Sequence, residues 1–230
     1  MNKLHLFLSC LISIIVVSVA SATWVPLTDE VPLSELPNGI LIVGDKEFSE
    51  FDLFGFAVGG AIAPDMDSVF VQGGQDDVTN DYGLRFLLAL DAGSGQIVNA
   101  NLSFKVSILP DYERYFINDV RVLVTGVSAT DTGVVNLGET VWDAPLPAGN
   151  LLASLSCSIQ ESGAVLMDYA EFDSVKEIWV RKDLSVSGGT GLTGAAHLSE
   201  FFQFYSQIPE PATIALLGLG ALALLPRRRK

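Results

Sequence analysis

The sequence predicts an all-β protein: an antiparallel β-sandwich, jelly-roll-like, flanked by an N-terminal signal peptide and a short C-terminal transmembrane helix. Three observations lead there. Apolar residues alternate with polar ones over several short runs, the period that puts every second side chain on one face of a strand. Clusters of Gly, Pro, Asn and Asp punctuate the chain at short intervals, with no long amphipathic helix between them. The two ends are apolar with basic flanks, whereas the middle is acidic. Three segments follow: a signal peptide over 1–22, a sandwich domain over 23–207 and a C-terminal signal over 208–230.

The first segment has Lys3 as its positive start, an apolar core from Leu6 to Val19, and Ala20-Ser21-Ala22 as a small-residue cleavage site before Thr23. Ala20 and Ala22 are the residues a signal peptidase reads, and the partner this implies is the Sec export machinery. Cys10 leaves with that segment, so Cys157 is the one cysteine that remains and no intramolecular disulfide can form. An exported domain without that staple is held by its core.

The overall net charge of −14 conceals a division. Residues 23–208 hold 8 basic and 26 acidic residues, a charge near −18. A nucleic-acid binder needs a basic stripe to displace phosphate counterions, so that class is excluded. The abundance of Val, Ile, Leu and Phe argues against disorder, and the length suits one domain with a substantial core.

Within the body, Asn101–Leu109 places Leu102, Phe104, Val106 and Ile108 on one face, with Ser103, Lys105 and Ser107 on the other. Leu155, Cys157 and Ile159 alternate with Ser154, Ser156 and Ser158 in the same way, which makes Cys157 a buried small hydrophobe. Arg85–Leu90, Asp119–Val127, Val175–Lys182 and His197–Phe204 are further strand-like runs. In the last, Leu198, Phe202 and Phe204 are expected to point inward and His197 outward. Turns are expected at Pro37-Asn38-Gly39, Gly59-Gly60, Gly73-Gly74, Asp131-Thr132-Gly133 and Gly188-Gly189, among others.

The C-terminal segment runs Ile208-Pro209-Glu210-Pro211, an apolar stretch to Leu225, then Pro226 and Arg227-Arg228-Arg229-Lys230. The prolines keep Ile208–Pro211 out of a helix, giving an extended strip poor in hydrogen bonds, which a processing enzyme can reach. The apolar stretch has no polar face and is about 21 Å long as a helix, shorter than a full bilayer core. The four terminal cations act as a stop-transfer held on the cytoplasmic side, so the body lies outside and lipid is a partner of the helix.

Pro-Glu-Pro, a short apolar helix and an Arg-rich end, in that order, resemble the PEP-CTERM sorting signal of Gram-negative bacteria. The resemblance implies Pro209, Glu210 and Pro211 as the sorting motif and Arg227, Arg228, Arg229 and Lys230 as its basic tail. It also implies an exosortase, a membrane enzyme of cysteine-protease type, as processing partner. Val43–Phe48, Tyr82–Phe86 and Val180–Leu184 are similar to segments of other exported proteins of this group, which carry no established activity to transfer.

Few constellations for chemistry remain. His197 is the sole imidazole after Thr23, so a zinc site of His/Cys type lacks ligands, and a Ser/His/Asp triad would need an exposed serine beside it. No nucleotide-binding glycine motif is present. Asp65 with Asp67, and Asp76, Asp77 and Asp81, are the densest carboxylate clusters; the second sits in a glycine-flanked loop that suits Ca²⁺ but lacks EF-hand spacing. No other cofactor is expected. Trp24, Tyr112, Tyr115 and Trp142 lie in turn-rich stretches where they could stack on sugars. The expectation is therefore a non-enzymatic exported protein of the cell surface or extracellular matrix, with exopolysaccharide as a candidate partner. The alternatives are a carbohydrate-binding or glycoside-cleaving domain and a retained single-pass membrane protein.

Overall fold

The computed structural model describes residues 23–206 together with 208 and 209. The expected signal peptide, with Ala20 and Ala22, lies outside the described residues, as do Glu210, Pro211, the apolar stretch and the Arg227–Lys230 tail. Among the described residues no helix is long and apolar enough to cross a membrane. Their strands in chain order are β1 (Trp24–Pro26), β2 (Val31–Pro32), β3 (Leu41–Val43), β4 (Lys46–Val58), β5 (Phe70–Asp76), β6 (Tyr82–Gly93), β7 (Ile97–Ile108) and β8 (Tyr115–Thr130). After them come β9 (Val134–Trp142), β10 (Leu151–Gln160), β11 (Gly163–Val165), β12 (Met167–Val175), β13 (Glu177–Ser187), β14 (Ala195–Tyr205) and β15 (Ile208–Pro209).

These strands form two antiparallel sheets packed face to face. One has the order β1-β5-β6-β14-β8-β12, with β2 added to β5 and β15 to β8; the other is β11-β10-β9-β13-β7-β4-β3. The chain changes sheet between β2 and β3, β4 and β5, β6 and β7, β7 and β8, β8 and β9, β11 and β12, β12 and β13, and β13 and β14. Leu102, Phe104 and Val106 of β7, and Leu155, Cys157 and Ile159 of β10, are buried as their alternation requires. Phe86 stacks between Phe201 and Phe104, its centroid 4.9 Å from the one and 5.7 Å from the other, and so links the two sheets across the core.

Three expectations change. The Val175–Lys182 run is two strands, because the chain crosses sheets at Lys176, whose Nζ donates to the Tyr115 carbonyl at 2.8 Å. Gly73-Gly74 is not a turn but the middle of β5. A Cβ on Gly73 would sit 2.3 Å from Val43, and one on Gly74 2.4 Å from the Trp24 indole, so these glycines serve close packing. In β14 the register shifts between Leu198 and Glu200, so Leu198 and Phe201 both face the core although three residues apart. Phe202 and Phe204 consequently face outward, not inward. They stack at 6.1 Å under the edge of Trp24, with the Arg121 guanidinium 4.5 Å from the Phe204 centroid.

The C-terminal strip is extended at Ile208–Pro209, as expected, but it is not free of pairing. It lies antiparallel against Phe116 and Tyr115. β8 supplies that partner because it runs past Arg121, the last residue opposite β14, and leaves its first residues open on that side.

Candidate functional site

The outer face of the seven-stranded sheet holds the most developed surface. Its centre is the β9-β13-β7-β4 ribbon, where strand alternation sends Trp142, Trp179, Arg181, Asp183, Asn99, Asn101 and Ser103 outward. On β4 the parity is set by a register shift between Ser49 and Asp52, with Glu50 at φ 56°. Phe48 and Phe51 both turn to the core, and Phe54 and Phe56 are left outside with 69% and 51% of their surface exposed. A one-residue slip of parity exchanges core and surface faces, and here it places two phenyl rings in solvent.

Cross-strand register lines these side chains into rows. Trp142 lies opposite Trp179, and Trp179 opposite Lys105. Four residues along β13, Asp183 lies opposite Asn101, which lies opposite Phe54. Ser185, Asn99 and Phe56 form the next outward row. The first and last rows are six residues apart, roughly 20 Å at strand rise. A groove of about 270 Å³ is lined by Glu50, Asn101, Trp142, Leu146, Trp179 and Arg181, among others. It is continued through Asn101 by a second hollow of about 340 Å³ beside Phe54, Phe56 and Asp183.

The polar groups of the groove are oriented by one another. Trp179 Nε1 donates to Glu50 Oε2 at 3.3 Å, and Lys105 Nζ stands 4.8 Å from the Trp179 centroid while paired with Glu177 at 2.7 Å. Asn101 Nδ2 donates to Asp183 Oδ1, which Arg181 also approaches at 3.3 Å. Trp142 Nε1 is enclosed and has no hydrogen-bond partner among the described residues. Such a surface combines aromatic faces with carboxylate, amide and guanidinium groups, and its charges nearly cancel. It suits an elongated ligand that is apolar on its faces and hydroxyl-rich at its edges.

Of the aromatics singled out in the sequence, Trp142 alone belongs to this groove. Trp24 is spent on Phe202 and Phe204, and Tyr112 packs against Tyr115 at 6.3 Å. Trp179 was open to sequence reasoning, since Ile178 and Val180 flank it as inward residues. Phe54 and Phe56 were not, because the shift at Glu50 leaves no sequence signal.

The carboxylate clusters sit elsewhere. Asp65 Oδ1 accepts the Ser68 amide at 2.9 Å, and Asp67 is exposed. Asp76 is buried; its Oδ1 accepts the Val78 and Thr79 amides at 2.9 and 3.3 Å, and its Oδ2 pairs with Arg121. Burial alone would raise its pKa, but the Val78 amide, Arg121 and Thr79 together hold it below the ordinary carboxylate value. Asp77 Oδ1 accepts the Thr23 amide at 2.8 Å. Burial pushes Asp81 upward, and the charges of Asp119 and Asp76 add to that, against the pull of Thr79 and Arg121. Among the described residues no three His, Cys, Asp or Glu side chains are grouped to hold a metal ion.

His197 is outward, as expected, with Nδ1 2.6 Å from Asp91 Oδ1. Its neighbour on the other side is Ser128, which puts Asp91, His197 and Ser128 in one row across β6, β14 and β8. The row is open to solvent, with His197 38% and Asp91 71% exposed, and no hydrogen bond joins Ser128 to the imidazole.

No curated protein matches the chain. Among solved structures, the chain is similar to TmCBM61 in complex with beta-1,4-galactotriose, at 14% identity and TM-score 0.34, over 69% of this chain and 90% of that one. It is similar to the enzymatically active domain of bacteriophage CBA120 tailspike protein 4, at 16% identity and TM-score 0.27, over 68% of this chain and 19% of that one. Its similarity to the CBM22-1 xylan-binding domain of Paenibacillus barcinonensis Xyn10C is 14% in identity and 0.23 in TM-score, over 66% and 85%. At the other end of the chain, Pro209 is the last residue described and opens the Pro-Glu-Pro run that leads into the apolar stretch and the arginines. Residues 207–230 match the PEP-CTERM protein-sorting motif, and the chain is thereby an exported protein bearing the C-terminal exosortase recognition signal.

Proposed function

We propose that this is a non-enzymatic β-sandwich, jelly-roll-like, of the cell surface or extracellular matrix, carried to the membrane by its signal peptide and released there by an exosortase. The sorting motif at 207–230 carries this reading. The apolar helix holds the chain as a single-pass intermediate, body outside, until processing near Pro209-Glu210-Pro211. Replacing these three residues by alanines leaves the fold intact and traps the protein in the membrane. An intact Arg227–Lys230 peptide in the mature protein, found by mass spectrometry, refutes release by processing.

The groove favours a second, compatible reading, in which the sandwich holds a neutral polysaccharide. Trp142, Trp179, Phe54 and Phe56 offer faces for sugar rings, and Asn101, Asp183, Glu50 and Arg181 offer hydrogen bonds to hydroxyls. An anionic polymer is disfavoured by two groove carboxylates against one guanidinium and by the acidic body. Binding rather than cleavage is supported by the carboxylates' placement. Glu50 accepts from Trp179 Nε1, and Asp183 accepts from Asn101 and Arg181, so both are already engaged by side chains of the groove. The Asp91-His197-Ser128 row is open to solvent, and no hydrogen bond joins Ser128 to the imidazole. Affinity electrophoresis in gels holding xylan, galactan, a soluble β-glucan or alginate tests the reading. Retardation is expected in a neutral gel, weakened about tenfold by Trp179→Ala or by Phe54→Ala with Phe56→Ala. Equal mobility in every gel, or retardation only by alginate, overturns it.

A further inference from the structure

Besides the buried Lys46–Asp45 pair, a cluster of three polar side chains lies in the core between the sheets. Lys182 of β13, Glu139 of β9 and Gln203 of β14 all point inward, and each is buried to 2% exposure or less. Lys182 and Glu139 are register neighbours in the seven-stranded sheet, whereas Gln203 comes from the facing sheet, opposite Leu84 and Val122. Lys182 Nζ bonds both Glu139 Oε2 and the Gln203 side-chain carbonyl Oε1, and lies 5.2 Å from the Phe201 ring centroid. An amine, a carboxamide and a carboxyl group therefore meet in an apolar pocket closed to water. From this juxtaposition we infer that Lys182 and Gln203 join in an intramolecular isopeptide bond, with Glu139 as the proton relay.

The chemistry needs a neutral amine and a proton donor. Burial lowers the Lys182 pKa, against the pull of Glu139, and burial raises the Glu139 pKa, against the pull of Lys182 and of the Gln203 side chain. Both groups are thus driven toward their uncharged forms, NH₂ and COOH. The Nζ lone pair attacks Gln203 Cδ, and Oε1 takes the carbonyl electron pair while hydrogen-bonded to the Glu139 acid. Glu139 gives its proton to Nε2 and takes one from Nζ. The Cδ–Nε2 bond breaks, the carbonyl re-forms, and ammonia leaves. One C–N bond is exchanged for another, and no oxidant or co-reactant is required.

Hydrogen-bond accounting favours the product. Glu139 Oε1 and Gln203 Nε2 make no hydrogen bond of ordinary geometry, and neither does Tyr205 Oη, all of them buried in the core. Unpartnered buried polar atoms are costly, and natural cores rarely keep them. The reaction removes Nε2 altogether and reduces the amine to a single amide N–H, which Glu139 Oε2 accepts. It also ties one sheet to the other in an exported body whose one cysteine, Cys157, cannot form an internal disulfide.

Denaturing mass spectrometry of the purified full chain tests this. The expected mass is lower by one ammonia than that calculated for the chain between its mapped termini, with a branched tryptic peptide linking Lys182 to Gln203 and no cleavage after Lys182. Lys182→Met and Glu139→Gln are expected to restore the full mass. Succinimide formation at Asn38-Gly39 would also lose ammonia, but it persists in Lys182→Met and gives no branched peptide. Unmodified wild-type protein at full mass overturns the inference without recourse to any variant. A loss of one water instead overturns it by assigning the bond to Glu139, and a deficit that survives Lys182→Met overturns it by placing the change elsewhere.

Discussion

Replacing Asp76 by alanine removes one of the links that hold the loop after β5 to the rest of its sheet. The carboxylate accepts the Val78 amide at 2.9 Å and the Thr79 amide at 3.3 Å, and it neutralises Arg121, which lies over Phe204. Hydrogen bonds to a charged acceptor contribute about 1.5–3 kcal/mol each, the longer Thr79 bond less. The alanine variant also leaves Arg121, 18% exposed, with Asp81 at 3.9 Å as its nearest remaining carboxylate. The expected loss is about 3 kcal/mol, or roughly 6–12 °C in Tm for a body of this size. Asp76→Asn keeps an acceptor for the two amides but loses the charge, so its loss should be about half. Urea unfolding followed by tryptophan fluorescence measures both, and a loss under about 1 kcal/mol for Asp76→Ala would refute the reasoning. The pH dependence gives an independent check. Asp76 is held below its unfolded value, so its contribution is complete above about pH 4 and disappears as pH falls through the folded value. The gap between wild type and variant must therefore close in acid; a gap that widens there has another cause.

The remaining predictions are simpler. Cys157 is fully buried and its thiol is pushed up to about 11, mainly by burial, so it should resist alkylation in the native protein and react once denaturant is added. Native labelling at the rate of a free thiol would place β10 wrongly. Phe54→Ala with Phe56→Ala should change unfolding stability by no more than about 0.5 kcal/mol, because the rings are largely in solvent already. A loss of several kcal/mol would mean that these rings belong to the core.

The sorting motif is local chemistry: two prolines around a glutamate, an apolar stretch and terminal cations act in sequence order, and a processing enzyme meets them as a linear segment. Ile208 and Pro209 add that this segment starts already paired with Phe116 and Tyr115 on β8. Access to the motif therefore begins with displacing a short edge pairing, not with unfolding the sandwich.

The strands themselves were legible because alternation is local. Leu102-Phe104-Val106 and Leu155-Cys157-Ile159 reveal their buried faces to anyone reading every second residue. The sorting motif was legible for the same reason. Tertiary structure decided the rest in two ways. Register shifts at Ser49–Asp52 and at Leu198–Phe201 change which face follows, and a bulge depends on its partner strands, not on its own residues. They send Phe54 and Phe56 into solvent and set Phe202 and Phe204 beneath Trp24. The second way is distance along the chain. Glu139, Lys182 and Gln203 look like unrelated surface residues in sequence, and their meeting in the core exists only once the two sheets face each other. Local periodicity determines strands; which charged side chains are shut away from water is a property of the packed pair of sheets.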